Sequence, residues 1–147
     1  MKQKIFQHHQ LLLQDKIDVF RDMISNLTED AQNDAKGSAG DKHETALSMM
    51  HIEQEKLNHK LKEFLDQKAI LDKMDVSKTH IKIALGSLVQ ANGMWLFISA
   101  ALPKITIDET TFIAVSPQSP LGSKLLGNEV GFEFEINTTK YSIQYIE

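Results

Sequence analysis

Cysteine is absent from the chain, which excludes disulfides, thiolate metal sites and a thiol nucleophile, and fits a reducing compartment. Proline, tryptophan and tyrosine are absent from the first 75 residues, where glycine is confined to Gly37 and Gly40. Helix breakers are thus missing from the first half except at one point. No long apolar run exists either: Leu11-Leu12-Leu13 is followed by charges, too short a stretch for a signal sequence or a membrane span. Nor is there a broad basic face. Acidic and basic residues interleave along the helical half, and the net charge is −4 over 147 residues, so independent DNA or RNA binding is not expected. These absences describe a soluble, cytoplasmic protein.

What is present divides in two. All three prolines, the one tryptophan and both tyrosines lie in the second half, so two modules are expected, 1–75 and 79–147. In the first, Phe6, Leu13, Ile17, Phe20, Ile24, Leu27 and Ala31 follow alternating steps of three and four, with Gln10 as a polar interruption. That spacing predicts a helix from about Gln3 to Asn33 with an a/d seam. Leu47, Met50, Leu57, Leu61, Phe64 and Leu71 resume the rhythm, broken by Gln54 and Lys68, and predict a second helix from about Lys42 to Lys73. Each helix is about 45 Å long at 1.5 Å per residue. Two such seams joined by a short glycine-containing turn are expected to pack as an antiparallel coiled-coil hairpin.

The turn carries Gly40-Asp41-Lys42-His43-Glu44. Asp41 and Glu44 have the spacing of a capping box, in which both side chains satisfy backbone N–H groups at the start of the second helix. The same two carboxylates have a second use. Mg²⁺ commonly takes one or two protein carboxylates and completes its octahedron with water and phosphate oxygens. Asp41 and Glu44 on an exposed tip would hold such an ion only weakly alone, but would complete a site supplied by a partner. The histidines offer less: His43, His51 and His59 recur every eight residues and fan around a helix by about 80° per step, while His8, His9 and His80 are expected to be solvated.

From about Thr79 the period turns to that of strands. Ile81 to Gln90 and Met94 to Ser99 flank Asn92-Gly93, a two-residue hairpin signal. Thr111 to Val115 reads as a further strand. The segment from Ser116 to Gly127 reads as a loop and one short helix stopped by Gly127, and the loop Ser116 to Leu121 is a candidate contact surface. Val130, Phe132, Phe134 and Ile136 alternate with polar residues, as do Tyr141, Ile143 and Tyr145 beyond the Asn137-Thr138-Thr139 turn. The expected class is therefore α+β, with an antiparallel sheet and one short helix. No catalytic triad, phosphate-cradling glycine loop or histidine cluster is recognisable, so this half reads as a binding module.

Gly40-Asp41-Lys42-His43-Glu44-Thr45-Ala46 resembles the tip of the Gre transcript cleavage factors of bacteria, whose pattern is Gly-Asp, two variable positions, then Glu-Asn-Ala. Gly86-Ser87-Leu88-Val89, Ile113-Ala114-Val115 and Ser119-Pro120-Leu121-Gly122-Ser123-Lys124-Leu125-Leu126-Gly127 are similar in order and spacing to the C-terminal domain of that family. The resemblance implies a hairpin that enters the secondary channel of RNA polymerase and a C-terminal domain of FK506-binding-protein-like fold that docks at the channel rim, with Ser119, Pro120 and Leu121 as docking residues. It implies that Asp41 and Glu44 share a Mg²⁺ with the polymerase active site, so that the polymerase cuts its own backtracked RNA. The protein is then an accessory factor rather than an enzyme, and meets nascent RNA only inside that complex. The chain departs from the family pattern at Thr45, where asparagine is usual, at Ser48, where an aromatic is frequent, and around 36–39, where the turn carries an extra residue. A Gre-like regulator that enters the channel without promoting cleavage is the alternative reading. A coiled-coil adaptor whose tip is only a cap is a third.

Overall fold

The computed structural model describes the backbone of residues 1–37 and 41–147, and the side chains of 1–30, 32–33 and 44–147. Its elements are α1 (Lys2–Gly37), α2 (Asp41–Asp72), β1 (Leu88–Ala91), β2 (Met94–Ile98), β3 (Ile105–Ile107), β4 (Thr110–Val115), α3 (Pro120–Leu125), β5 (Glu133–Ile136) and β6 (Thr139–Ile146). The class is α+β: two long helices precede a six-stranded mixed sheet that carries one short helix. Two compact units divide the chain, Leu12–Lys68 and Met1–Leu11 with Ala69–Glu147. The first eleven residues belong with the sheet, a grouping that composition does not reveal.

In the helical unit the seam positions are the sheltered ones. Leu13, Ile17 and Met50 are buried, and Phe20, Ile24, Leu27, Leu47, Leu57, Leu61 and Phe64 are half-buried. The rings of Phe20 and Phe64 meet edge-on at 5.3 Å, a geometry that adds about 1 kcal/mol beyond area burial. Gln54, a polar break in the second seam, has a partner on the first helix. Gln54 Nε2 donates to Thr28 Oγ1 at 3.0 Å, and that hydroxyl donates to the Ile24 carbonyl at 2.9 Å. Position 64 meets 20 and position 54 meets 28, so within this unit α2 runs back along α1.

The sheet order is β3-β4-β2-β1-β6-β5. It is not wholly antiparallel as expected: β2 and β4 pair in parallel, from Trp95 opposite Phe112 to Ile98 opposite Val115. The cause is β3, a strand of three residues too short to show in the sequence rhythm. It forms a hairpin with β4, and this reversal returns β4 beside β2 in the same direction. The hairpin turn is Asp108-Glu109, with φ of 50° and 67°. Asn92-Gly93 and Asn137-Thr138 also have two consecutive positive φ values, the requirement of the type I′ turn that matches strand twist.

Two further strand expectations are corrected. β1 starts at Leu88, not Ile81; Gly86, at φ 91°, turns the backbone ahead of it, and Ser87 Oγ accepts the Ala84 N–H at 2.9 Å. β5 starts at Glu133, so Val130 and Phe132 do not join the buried face and are 58% and 42% exposed. There Gly131 has φ 94° and the Phe132 N–H donates to the Glu129 carbonyl at 3.2 Å, a turn where alternation suggested strand.

The sheet buries both faces. Val89, Leu96, Ile98 and Ile143 pack with Ile83 and with Leu125 and Leu121 of α3. On the other side Leu88 and Phe97 pack with Phe112, Ile107 and Ile5, the last from the first turn of α1. The two-residue period of a strand explains why Leu96 and Phe97 serve opposite sides. Full burial of a side chain such as Ile5 contributes about 2 kcal/mol, so the beginning of α1 is a structural part of the sheet unit.

Candidate functional site

The two carboxylates singled out by sequence lie in the first turn of α2, which begins at Asp41. Three helical residues turn the chain by about 300° and advance it about 4.5 Å, so positions 41 and 44 share one side of the helix. Glu44 is exposed. The side chain of Asp41 lies outside the described residues, and so does the capping contact expected of it. Among the described residues no three acidic or histidine side chains are grouped to hold a metal. Asp41 and Glu44 supply hard oxygen donors of the type Mg²⁺ takes, and two carboxylates leave most of an octahedron to water, phosphate or a partner.

The second candidate, Ser119-Pro120-Leu121, begins α3. Ser119 is its N-cap, with φ −68° and ψ 159°. Its Oγ accepts the Gly122 N–H at 3.0 Å and donates to the Ser116 carbonyl at 2.7 Å, so the hydroxyl is committed to the turn. Pro120 occupies the first helical turn, where a missing N–H costs nothing, and its ring is exposed. Leu121 is half-buried against the core. Of the three residues, Pro120 presents the open surface. A cavity of about 500 Å³ opens beside this segment, lined by Ile70, Lys73, Ile83, Pro117 and Leu126 among others, a mostly apolar hollow of the size that admits a ligand or a partner side chain.

The histidines divide. His8, His51 and His59 are exposed as expected, and the side chain of His43 lies outside the described residues. His9 is a correction: it is fully buried, stacked on Phe97 with centroids 6.1 Å apart. His80 is half-buried, and its Nδ1 lies 2.8 Å from the buried Ser87 hydroxyl. With Nδ1 unprotonated, that hydroxyl donates to it. Burial is the main influence holding the His80 pKa below its ordinary value, with Lys2 and Lys78 adding to it and Asp75 opposing.

Lys2 is the other residue that sequence reasoning missed. It is 3% exposed, and its ammonium donates to the Lys78 carbonyl and, at 3.1 Å, to the Glu147 carbonyl. Burial lowers its pKa, while Glu147 and Asp75 oppose the shift. Lys2, Ile5, His9 and Leu13 form a stripe with steps of three, four and four, and all four are buried. Phe6, which fits the apolar rhythm, is only half-buried. Two polar members hid this stripe from an apolar count; the spacing was there to be read.

No protein-family model matches this chain, and no curated protein matches it. Among the described residues no helix is long and apolar enough to cross a membrane.

Proposed function

We propose that this chain is a secondary-channel factor of the Gre type, which binds bacterial RNA polymerase in the cytoplasm and stimulates cleavage of backtracked RNA. The observation that carries the reading is the antiparallel run of α1 and α2, fixed by Phe20 on Phe64 and Thr28 on Gln54. It leads to a helix start that bears Asp41 and an exposed Glu44. Such a coiled-coil hairpin is a narrow carrier for charge into a cleft of another macromolecule. The sheet unit would then be the FK506-binding-protein-like docking domain, with Pro120 on its surface and Ser119 and Leu121 shaping the turn that presents it.

In this reading Asp41 and Glu44 act as ligands and orienting groups. A Mg²⁺ shared with the polymerase would supply Lewis-acid polarisation of a water. The water oxygen would bond to phosphorus as the P–O3′ bond breaks, one water proton passing to the leaving O3′, to leave a 3′-hydroxyl on the retained RNA and a 5′-phosphate on the released fragment. The polymerase remains the enzyme.

The test is a backtracked elongation complex supplied with this protein and Mg²⁺, read as release of short 3′ RNA fragments. Release that is lost in Asp41→Asn/Glu44→Gln, with polymerase affinity kept, supports the proposal. Channel occupancy without release identifies a regulator that does not promote cleavage, and absence of binding leaves a coiled-coil adaptor.

A further inference from the structure

His9 is buried with one ring nitrogen satisfied and the other not. Nε2 lies 3.4 Å from the Pro103 carbonyl oxygen, and Nδ1 is the one buried side-chain nitrogen or oxygen without a hydrogen-bond partner among the described residues. A carbonyl only accepts, so the hydrogen belongs on Nε2 and Nδ1 keeps a lone pair. The neutral ring is tolerable there. A second proton would create a buried N–H with no acceptor and place a full charge in an apolar setting, both costly.

The ring's surroundings offer that charge little. β2 contributes Phe97, and the segment before β3 contributes the Pro103 carbonyl. Among the described residues, the side chain that acts electrostatically on the ring is His8, which disfavours its charged form. Burial is the largest influence and lowers the pKa of His9 below its ordinary 6.5; His8 lowers it further, and the Pro103 carbonyl opposes. The ring shares its stripe with Ile5, part of the sheet core, and with Lys2, which bonds the Lys78 and Glu147 carbonyls. What dislodges His9 strains three anchors of one helix start.

We propose that His9 is a pH-sensitive latch, which seats the first turns of α1 on the sheet while neutral and releases them when protonated. The sign follows from linkage. The seated pKa is below the released one, so the seat is strongest above pH 6.5 and weakens as pH falls below it toward the seated pKa. One proton taken up on release steepens the opening equilibrium by up to about tenfold per pH unit. This latch stands independently of any polymerase partner.

The experiment uses the full chain between pH 7.5 and 5. NMR follows the His9 ring, and amide hydrogen exchange follows residues 2–11 after correction for intrinsic rates. The expected result is a His9 midpoint below 6.5 and a loss of protection of up to about tenfold per pH unit below that value. The loss should vanish in His9→Leu and persist in His80→Gln, which removes the other histidine of the unit with a lowered pKa. If His9→Leu fails to fold, His9→Gln and the wild-type midpoint still decide. A midpoint at or above 6.5, or an equal pH-dependent loss in the His9 variants, overturns the latch.

Discussion

The carbonyl oxygen of Ser116 lies 1.9 Å from the point a Cβ on Gly122 would occupy. The clash is with backbone, which the Ser119 cap holds in place, so no side-chain rotation relieves it. Gly122→Ala should therefore cost about 2–3 kcal/mol, measured by urea unfolding. A loss below about 0.5 kcal/mol, the range of an ordinary surface change, would mean the turn is looser than described.

Pro120 and Leu121 should separate docking from folding. Leu121→Ala removes part of the core beneath α3 and should cost about 1–2 kcal/mol, less than a fully buried leucine. Pro120→Ala should cost less than about 1 kcal/mol, through chain entropy, yet weaken polymerase binding. Paired melting and affinity measurements check the split; unchanged affinity in Pro120→Ala would remove that ring from the interface.

Ile5 tests whether the helix start belongs to the sheet unit. It has no exposed surface and packs in the cluster of Leu88, Phe97, Ile107 and Phe112. Ile5→Ala should cost about 3 kcal/mol in thermal unfolding followed by Trp95 fluorescence. An effect under about 1 kcal/mol would place Ile5 outside the core.

Thr138 stands at φ 70°, a conformation that crowds its β-branched side chain. Glycine relieves the crowding and gives back part of the gain as unfolded-chain entropy. Thr138→Gly should then raise stability by about 0.5–1 kcal/mol, read as a higher melting temperature. A lower melting temperature would show that Thr138 makes compensating contacts.

The long elements were legible because periodicity repeats. Over thirty residues the three-four rhythm announces α1 and α2, and their extents differ from expectation by a few residues at most. Short elements lacked that redundancy. β3 has three residues, so neither its presence nor the parallel pairing it forces could be read locally. Val130 and Phe132 alternate as a strand would, but Gly131 at positive φ breaks the pleat. Lys2 and His9 were missed for another reason: a polar residue on a buried stripe looks like a gap in an apolar count, and its partners at Lys78, Pro103 and Glu147 are remote in sequence. Of the candidate site, the helix start near Asp41 was visible as a local motif, whereas the segment around Ser119 read only as a loop entering a short helix and the cap was not foreseen. The inward turn of Leu121 depends on the sheet beneath it.

If Asp41 and Glu44 help hold an ion inside the polymerase, as proposed, a Mg²⁺ titration of RNA cleavage in a backtracked complex will read it. Loss of a ligand should weaken ion binding without weakening docking. Glu44→Gln should raise the Mg²⁺ midpoint of fragment release by about tenfold, equivalent to about 1.4 kcal/mol, while affinity for the polymerase stays constant. An unchanged midpoint and rate in both Glu44→Gln and Asp41→Asn would contradict it.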